Sequence, residues 1–155
     1  MGYQPSFDLE RFNFARDLKD GEQGEALVEK FLYALSSGAF EVKSDRYRNG
    51  RMVIETHQAP LRALQNLDLG EDAWKPSGLN VTEAKWWIYV YSLEGDSGAF
   101  VAVEIERLKR FLRQNRSRFN GSTKKMFAVS SDNPSRGWLL EAADVLDLLT
   151  NPVYD

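Results

Sequence analysis

Two carboxylates, an ammonium group and an imidazole fall close together in one short stretch of this chain. Lys43 and Asp45 stand two residues apart, as do Glu55 and His57. Because side chains alternate between the two faces of a β-strand, each pair would share one strand face. Two carboxylates beside a basic group can hold a divalent cation and activate water, as a hydrolytic magnesium site requires. The same alternation is typical of an ordinary solvated strand face, so the spacing leaves both interpretations open.

A β-hairpin over residues 40–58 is the element that would bring these pairs together. Its centre is Asn49-Gly50, the dipeptide most typical of a two-residue hairpin turn. Antiparallel pairing about this turn would place Asp45 close to Glu55. The sequence therefore predicts that the two carboxylates meet across a strand pair.

A helix is predicted ahead of the hairpin, with Asp20 as its N-cap and Leu35 near its end. Its Glu25 lies one turn in from the start, at the edge of the apolar stripe, and could reach a neighbouring sheet. Acids early in a helix are also favoured by the helix dipole alone. Residues 1–19 are predicted to form an irregular arm with aromatic side chains that dock on the main body.

The remainder of the chain predicts a mixed β-sheet flanked by helices, in the order α-β-β-β-α-β of an α/β fold. The aromatic and β-branched run over 86–93 is typical of a central strand buried on both faces. Residues 59–76 are predicted to be a connection, with a lid or a specificity insert as the alternatives. The other predicted elements are a short strand over 99–103, a helix over 104–115, a strand over 125–129 and, over 138–149, a closing helix or a docked tail.

Composition limits which metal ligands the chain can offer and which cellular location we expect for it. Its 155 residues, 43% hydrophobic and 28% charged, predict one globular domain. The sequence has no long apolar run, no secretory signal pattern and no cysteine, so we expect an intracellular location. A single histidine excludes a zinc site built from several imidazoles. Any metal would be held by oxygen atoms, which points to magnesium, manganese or calcium.

The outer face of the predicted 104–115 helix is strongly basic although the net charge of the chain is −3. Six basic residues fall between Arg107 and Arg118. This asymmetry permits an anionic partner such as DNA, and it also occurs on solvated helix surfaces. The candidate phosphate contacts are Arg107, Lys109, Arg110, Arg113 and Arg116.

Three stretches carry a family resemblance through their order and spacing: GEQGEALVEKFL, FEVKSD…NGRMVIETH and PSGLNVTEAKWWIYV. They fall within residues 21–93, and ERLKRFL extends the match to residue 112. Together they resemble the PD-(D/E)XK nuclease superfamily, and most closely its small phage and prophage members. The resemblance implies a restriction-endonuclease-like core, a DNA substrate and a cytoplasmic location in a bacterium or a phage-infected host cell.

The superfamily pattern also implies roles for individual residues. Its aspartate and glutamate bind a divalent metal, and Asp45 and Glu55, separated by nine residues, match them. The helical glutamate of many members corresponds to Glu25. The backbone carbonyl of Thr56 is a reasonable additional ligand for the Mg²⁺ or Mn²⁺ ion.

Two positions depart from the superfamily pattern. Ser44 stands where a proline precedes the aspartate, and His57 stands where a lysine helps to activate water. A neutral imidazole could orient or deprotonate that water. Lys43, on the strand face of Asp45, could instead supply a displaced ammonium group.

Three hypotheses follow for the function of the chain. The first is a metal-dependent DNA endonuclease, structure-directed or repair-like, that acts as a homodimer because one domain of this kind needs a twin to cut both strands. The second is a nuclease-fold protein that has lost catalysis and binds DNA or a protein partner. The third is a small α/β domain with no role on nucleic acid, its basic helix merely solvated.

Overall fold

The computed structural model describes residues 14–44, 48–65, 70–119, 125–127 and 132–154. Over these ranges the chain is an α/β protein, and it divides into two compact units, Met1–Gly38 and Ala39–Asp155. None of the helices in these ranges has the length and apolar composition that crossing a membrane requires. The helices are α1 (Phe14–Ser36), α2 (Leu61–Leu64), α3 (Ile105–Gln114) and α4 (Ala142–Thr150), with 3-10 turns at Gly70–Ala73 and Gly78–Asn80. The strands are β1 (Phe40–Ser44), β2 (Met52–Gln58), β3 (Lys75–Pro76), β4 (Trp86–Glu94), β5 (Ser97–Glu104), β6 (Lys125–Phe127) and β7 (Ser135–Leu140).

The first unit contains α1, which confirms the predicted helix but begins at Phe14 rather than after Asp20. Most residues of the helix have good helix propensity, so Gly21 does not interrupt it. The predicted N-cap at Asp20 and the irregular arm over 14–19 are therefore wrong, while residues 1–13 lie outside the described ranges. The helix ends just before Gly38, whose φ of 74° is typical of a residue that follows a helix C-terminus.

A three-stranded sheet has the order β1-β4-β5, with β4 in its centre as the sequence predicts. β1 runs parallel to β4, and β5 runs antiparallel to it. Trp87 and Tyr89 of β4 are buried in the core with Val103 of β5 and Leu108 of α3. Aromatic and β-branched side chains thus bury a whole strand face, which is the main stabilising contribution of this sheet.

A second, antiparallel sheet has the order β3-β2-β7-β6. Along β2, Met52, Ile54 and Thr56 are buried, while the residues between them are half-buried. This period of two is typical of a strand that packs one face on the core. The half-buried face of β2 carries the predicted site residues Glu55 and His57.

The predicted pairing of residues 40–44 with 52–58 as a hairpin is wrong, because β1 pairs with β4 while β2 pairs with β3 and β7. The chain still turns locally at Asn49 and Gly50. The Asn49 side chain accepts a hydrogen bond from the Arg51 N–H at 3.1 Å, and Gly50 has a φ of 74°. An isolated two-stranded hairpin is only marginally stable in water, whereas in its own sheet β2 buries Met52 and Ile54.

The closing region predicted as one helix over 138–149 consists of β7 and the helix α4. Glu141 caps α4 in a capping box with Asp144, so this helix cannot extend back through Trp138. The preceding six residues are free to form a strand, and β7 is the long antiparallel partner of β2. The residues of β7 that neighbour Glu55 and His57 were missed for this reason.

The helix α3 confirms both the predicted element and its predicted inward face. Ile105, Leu108, Phe111 and Leu112 are buried. α3 packs against β5 and α4, and α4 packs against β7. Both helices therefore flank the sheets within the second unit.

Candidate functional site

A cleft of about 360 Å³ lies where β1, β2, β4 and β7 come together. Lys43 and Glu55 both face this space, although they belong to different sheets. Two of the groups that the sequence assigned to one site thus lie in one cleft without the predicted hairpin. We call this site the Glu55 cleft; its lining residues are Val42, Lys43, Ser44, Val53, Glu55, Tyr89 and Ser135.

The hydroxyl group of Tyr89 connects the two sheets at the Glu55 cleft. Tyr89 is 3% exposed on the central strand β4, and its oxygen accepts a hydrogen bond from the Val53 N–H at 3.1 Å. A main-chain donor of β2 is therefore bound to a side chain of the other sheet. This bond keeps β1 and β2 on opposite sides of one cleft although they do not pair.

The carboxylate of Glu55 is bound by a serine that lies outside both strands of the predicted hairpin. The Ser77 hydroxyl donates to Glu55 Oε1 at 2.7 Å, and the Ser77 N–H donates to the Thr56 carbonyl at 2.8 Å. Among the described lysines and arginines, none forms an ion pair with Glu55. A serine hydroxyl is neutral, so it orients the carboxylate without cancelling a negative charge.

The ammonium group of Lys43 reaches the cleft in partnership with a different acid. Its Nζ lies 2.7 Å from Glu41 Oε1 and 5.7 Å from the centroid of the Trp87 ring. Burial raises the pKa of Glu41, but hydrogen bonds from Lys43 and Thr82 outweigh it, and the net pKa is lowered. Lys43 therefore places a positive charge at the cleft wall that is fixed by Glu41.

His57 is not among the residues that line the cleft. The register between β2 and β7 shifts between Glu55 and His57, so that Glu55 lies opposite Gly137 and His57 opposite Arg136. Such a bulge changes the surroundings of side chains that would share a face on a regular strand. Within β2, the Nδ1 atom of His57 lies 2.9 Å from the Thr56 hydroxyl oxygen.

A second group of side chains gathers at Arg136, which lies opposite His57 in the pairing of β7 with β2, and we call it the arginine cluster: His57, Glu71, Trp74 and Arg136. Arg136 Nη1 lies 2.8 Å from Glu71 Oε2, and the guanidinium carbon lies 4.7 Å from the centroid of the Trp74 ring. Burial and, second, the charge of Arg136 lower the pKa of His57, against a smaller opposing effect of Glu71. The imidazole is therefore held in its neutral form by residues that the sequence analysis did not connect to it.

The structure does not show three of the predicted metal-site residues, Glu25, Asp45 and Thr56, with a side chain that lines the Glu55 cleft. Asp45 lies outside the described residues, directly after Ser44 of the cleft lining. Glu25 lies on α1, in the first unit. The Thr56 carbonyl accepts the hydrogen bond from the Ser77 N–H.

The side-chain atoms of the Glu55 cleft that could bind a metal ion are carboxylate and hydroxyl oxygen atoms. Magnesium commonly takes one or two protein carboxylates and keeps several water molecules. Glu55 supplies one carboxylate, and Tyr89 and Ser135 supply hydroxyl groups. Within the described ranges no three His, Cys, Asp or Glu side chains gather at one point. The set fits a hard cation held by Glu55, with Asp45 as the second carboxylate that the sequence offers.

The basic residues in and just after α3 fall into three kinds. Arg107 donates from Nε to the Leu148 carbonyl at 2.8 Å and from Nη2 to the Asn151 carbonyl at 2.7 Å. It thereby satisfies carbonyl groups at the C-terminus of α4, which is a structural role. Arg113 and Arg116 are exposed. The other two predicted phosphate contacts, Lys109 and Arg110, are half-buried.

Comparisons of the chain with protein-family models, with curated proteins and with solved structures find no match. The resemblance to the PD-(D/E)XK superfamily therefore stays a prediction made from residue order and spacing. The geometry of the Glu55 cleft is the structural basis on which a function can be argued.

Proposed function

We propose that the protein is a divalent-metal-dependent DNA endonuclease that hydrolyses phosphodiester bonds at the Glu55 cleft. The observation that carries the proposal is the placement of Glu55 and Lys43 in one cleft, with a neutral donor on the carboxylate. A carboxylate that is oriented but not neutralised suits a cation, and an ammonium group on the same cleft suits a phosphate. A restriction-endonuclease-like core with Asp45 as second metal ligand is part of this proposal.

Three residues of the cleft have roles in this chemistry. Glu55 binds the Mg²⁺ or Mn²⁺ ion, which when bound would stabilise negative charge on the phosphate and acidify a water molecule. Lys43 attracts the phosphate and stabilises charge that develops on its oxygens. Tyr89 keeps the two cleft walls at a fixed separation through Val53. Because His57 lies in the arginine cluster, the proposal assigns the basic role at the cleft to Lys43.

The exposed Arg113 and Arg116 are proposed to bind the DNA backbone, together with Lys109 and Arg110. Phosphate contacts of this kind position a duplex without reading its sequence. Arg107 contributes through the stability of α4 instead, because its Nε and Nη2 atoms donate to carbonyl groups. We also propose a homodimer, since one such cleft cuts one strand at a time.

The test of catalysis is cleavage of supercoiled, linear and branched DNA in Mg²⁺ and in Mn²⁺. Glu55→Gln keeps the size of the side chain and an acceptor for Ser77 but removes the charge. Asp45→Asn likewise removes the charge of the second proposed metal ligand at nearly the same size. Both are expected to abolish cleavage. Glu83→Gln, at an exposed carboxylate, is the matched control and is expected to cleave like the wild type. Wild-type activity that survives Glu55→Gln would refute the proposed site.

The test of DNA binding compares the two kinds of arginine. The double variant Arg113→Gln, Arg116→Gln is expected to lower the slope of log affinity against log salt by about 2, one for each lost phosphate contact. Arg107→Gln is expected to lower thermal stability and leave that slope unchanged. The reverse pattern would move the phosphate contact to Arg107.

One alternative has an observation in its favour. His57 belongs to the arginine cluster and Lys43 is paired with Glu41, so neither is a lone base beside Glu55. A nuclease-fold protein that binds DNA or a protein partner without cutting would have such an arrangement. Salt-dependent DNA affinity without cleavage in either metal would select this alternative.

A further inference from the structure

We infer that Ser77 is a positioning residue that holds the Glu55 carboxylate in the orientation that binds the metal ion. This inference rests on the proposed function, because it concerns the proposed metal ligand. It assigns a role to the turn Pro76-Ser77-Gly78, which begins the third stretch that carries the family resemblance.

Two hydrogen bonds from Ser77 attach this turn to two successive residues of β2, Glu55 and Thr56. The Ser77 hydroxyl donates to Glu55 Oε1 at 2.7 Å. The Ser77 N–H donates to the carbonyl of the next residue, Thr56, at 2.8 Å. The main-chain bond fixes where Ser77 stands, and the side-chain bond then fixes where the Glu55 carboxylate points.

The residue after Ser77 confirms how closely the turn is packed on Glu55. A Cβ atom at Gly78 would lie 2.3 Å from the Glu55 carbonyl oxygen and 3.0 Å from the Glu55 Cβ. Gly78 also has a φ of 49°, which disfavours side chains in any case. The absence of a side chain at this position lets the turn lie directly against the backbone of the proposed ligand.

The hydroxyl group occupies one carboxylate oxygen and leaves the other for a cation. Among the described residues, no donor is bonded to Oε2 of Glu55. A glutamate side chain loses conformational entropy when it binds a metal ion. If a hydrogen bond already holds the side chain in the binding rotamer, this entropy cost no longer lowers the metal affinity. Partners that orient a metal ligand in this way typically contribute 10- to 100-fold to metal affinity.

The experiment measures Mn²⁺ affinity by isothermal titration calorimetry in the full chain, without DNA. Ser77→Ala removes the hydroxyl but keeps the N–H bond to Thr56, and it is expected to weaken Mn²⁺ binding about tenfold. Ser77→Thr keeps the hydroxyl at a residue whose backbone is extended, with φ −152° and ψ −177°, and is expected to bind within about twofold of wild type. Ser97→Ala, at an exposed serine, is the control.

Glu55→Gln in the same titration separates failure of this inference from failure of the proposed function. If Glu55→Gln binds Mn²⁺ as the wild type does, the metal site itself is refuted. If Glu55→Gln loses binding while Ser77→Ala keeps wild-type affinity, the metal site stands and the positioning role of Ser77 is refuted. Equal weakening by Ser77→Ala and Ser77→Thr, with both folded by circular dichroism, would also refute it, because the hydroxyl would then not matter.

Discussion

The Glu55 cleft and the arginine cluster lie along the same strand face of β2, two residues apart, and use their acids in opposite ways. At the cleft, a neutral hydroxyl group binds Glu55. In the cluster, Glu71 is paired with the guanidinium of Arg136, which also lies against Trp74. Among the described residues, Glu55 is oriented without an ion-pair partner, whereas Glu71 is paired with an arginine.

This difference bears on how each acid could meet a cation. Among the described residues, no lysine or arginine is paired with Glu55, whereas at Glu71 a cation would compete with Arg136. The bulge between Glu55 and His57 separates the two environments. A difference of two positions in sequence therefore becomes a difference of surroundings, because the register of β7 changes between them.

The largest expected effect is a loss of stability on substituting Gly137, which lies opposite Glu55 beside the bulge that separates the two sites. A Cβ atom at Gly137 would lie 1.9 Å from the Ile54 carbonyl oxygen and 3.0 Å from the Glu55 Cα. Gly137→Ala must therefore push β7 away from β2, and we expect a loss of about 3 kcal/mol in the free energy of unfolding. Urea unfolding followed by circular dichroism measures it.

Gly95→Ala is the matched control for that substitution. Gly95 has a φ of 58° but no atom within 4 Å of a Cβ, so only backbone strain of about 1 kcal/mol is expected. Equal losses in the two variants would mean that the close approach of β7 to β2 contributes nothing.

The next effect is a pair of opposite changes: one substitution is expected to lower stability without changing metal affinity, and another to do the reverse. Arg136→Met keeps an apolar stem but removes the contact of the charge with Trp74 and Glu71. We expect a loss of about 1–2 kcal/mol, mostly from Trp74, since Glu71 is 76% exposed and its ion pair is screened. Mn²⁺ affinity is expected to stay unchanged.

Glu55→Gln should give the opposite pattern to Arg136→Met. Stability is expected to stay within about 0.5 kcal/mol of wild type, while Mn²⁺ binding is lost. Chemical unfolding and calorimetric titration of both variants make the comparison. Loss of metal affinity in Arg136→Met would show that the two sites are one.

The smallest expected effect is a pH dependence that arises from His57. Its pKa is lowered below 6.5 by burial and by Arg136, so the unfolded chain binds a proton first as the pH falls below 6.5. Stability is therefore full above that pH and declines as the pH falls from 6.5 through the lower pKa of the folded state. Glu41, whose pKa is lowered from 4.5, adds its own decline only at lower pH.

His57→Gln tests this contribution, because glutamine does not titrate. Unfolding free energies of wild type and variant are compared between pH 7 and pH 5.5. The wild type is expected to lose more stability than the variant over this interval. Parallel profiles would mean that the folded state binds the proton as readily as the unfolded chain does.

Elements with a strong local signal could be predicted from the sequence. β4 follows from a run of aromatic and β-branched residues, and the buried face of α3 follows from helical spacing. α1 was predicted too short, because Asp20 and Gly21 resemble a helix start although the helix runs through them. Local signals identify an element well and its ends less well, because neighbouring turns can override one residue.

Strand partners could not be predicted in the same way. Asn49-Gly50 is a genuine turn signal, yet the strands on either side join different sheets. The strand β7 was missed because Trp138 and the apolar residues after it fit a helix or a strand equally well. The capping box at Glu141 is the signal that could have separated them, since it places the helix start after the apolar run.

The sequence by itself determined an α/β chain with oxygen ligands for any metal, and it placed Lys43 and Glu55 among the candidates for one site. Tertiary structure alone decided that these two line one cleft between two sheets, that Ser77 binds Glu55, and that His57 lies opposite Arg136. The physical reason is that residue types and spacing set local conformation, whereas pairing depends on which distant strands bury the most apolar surface together.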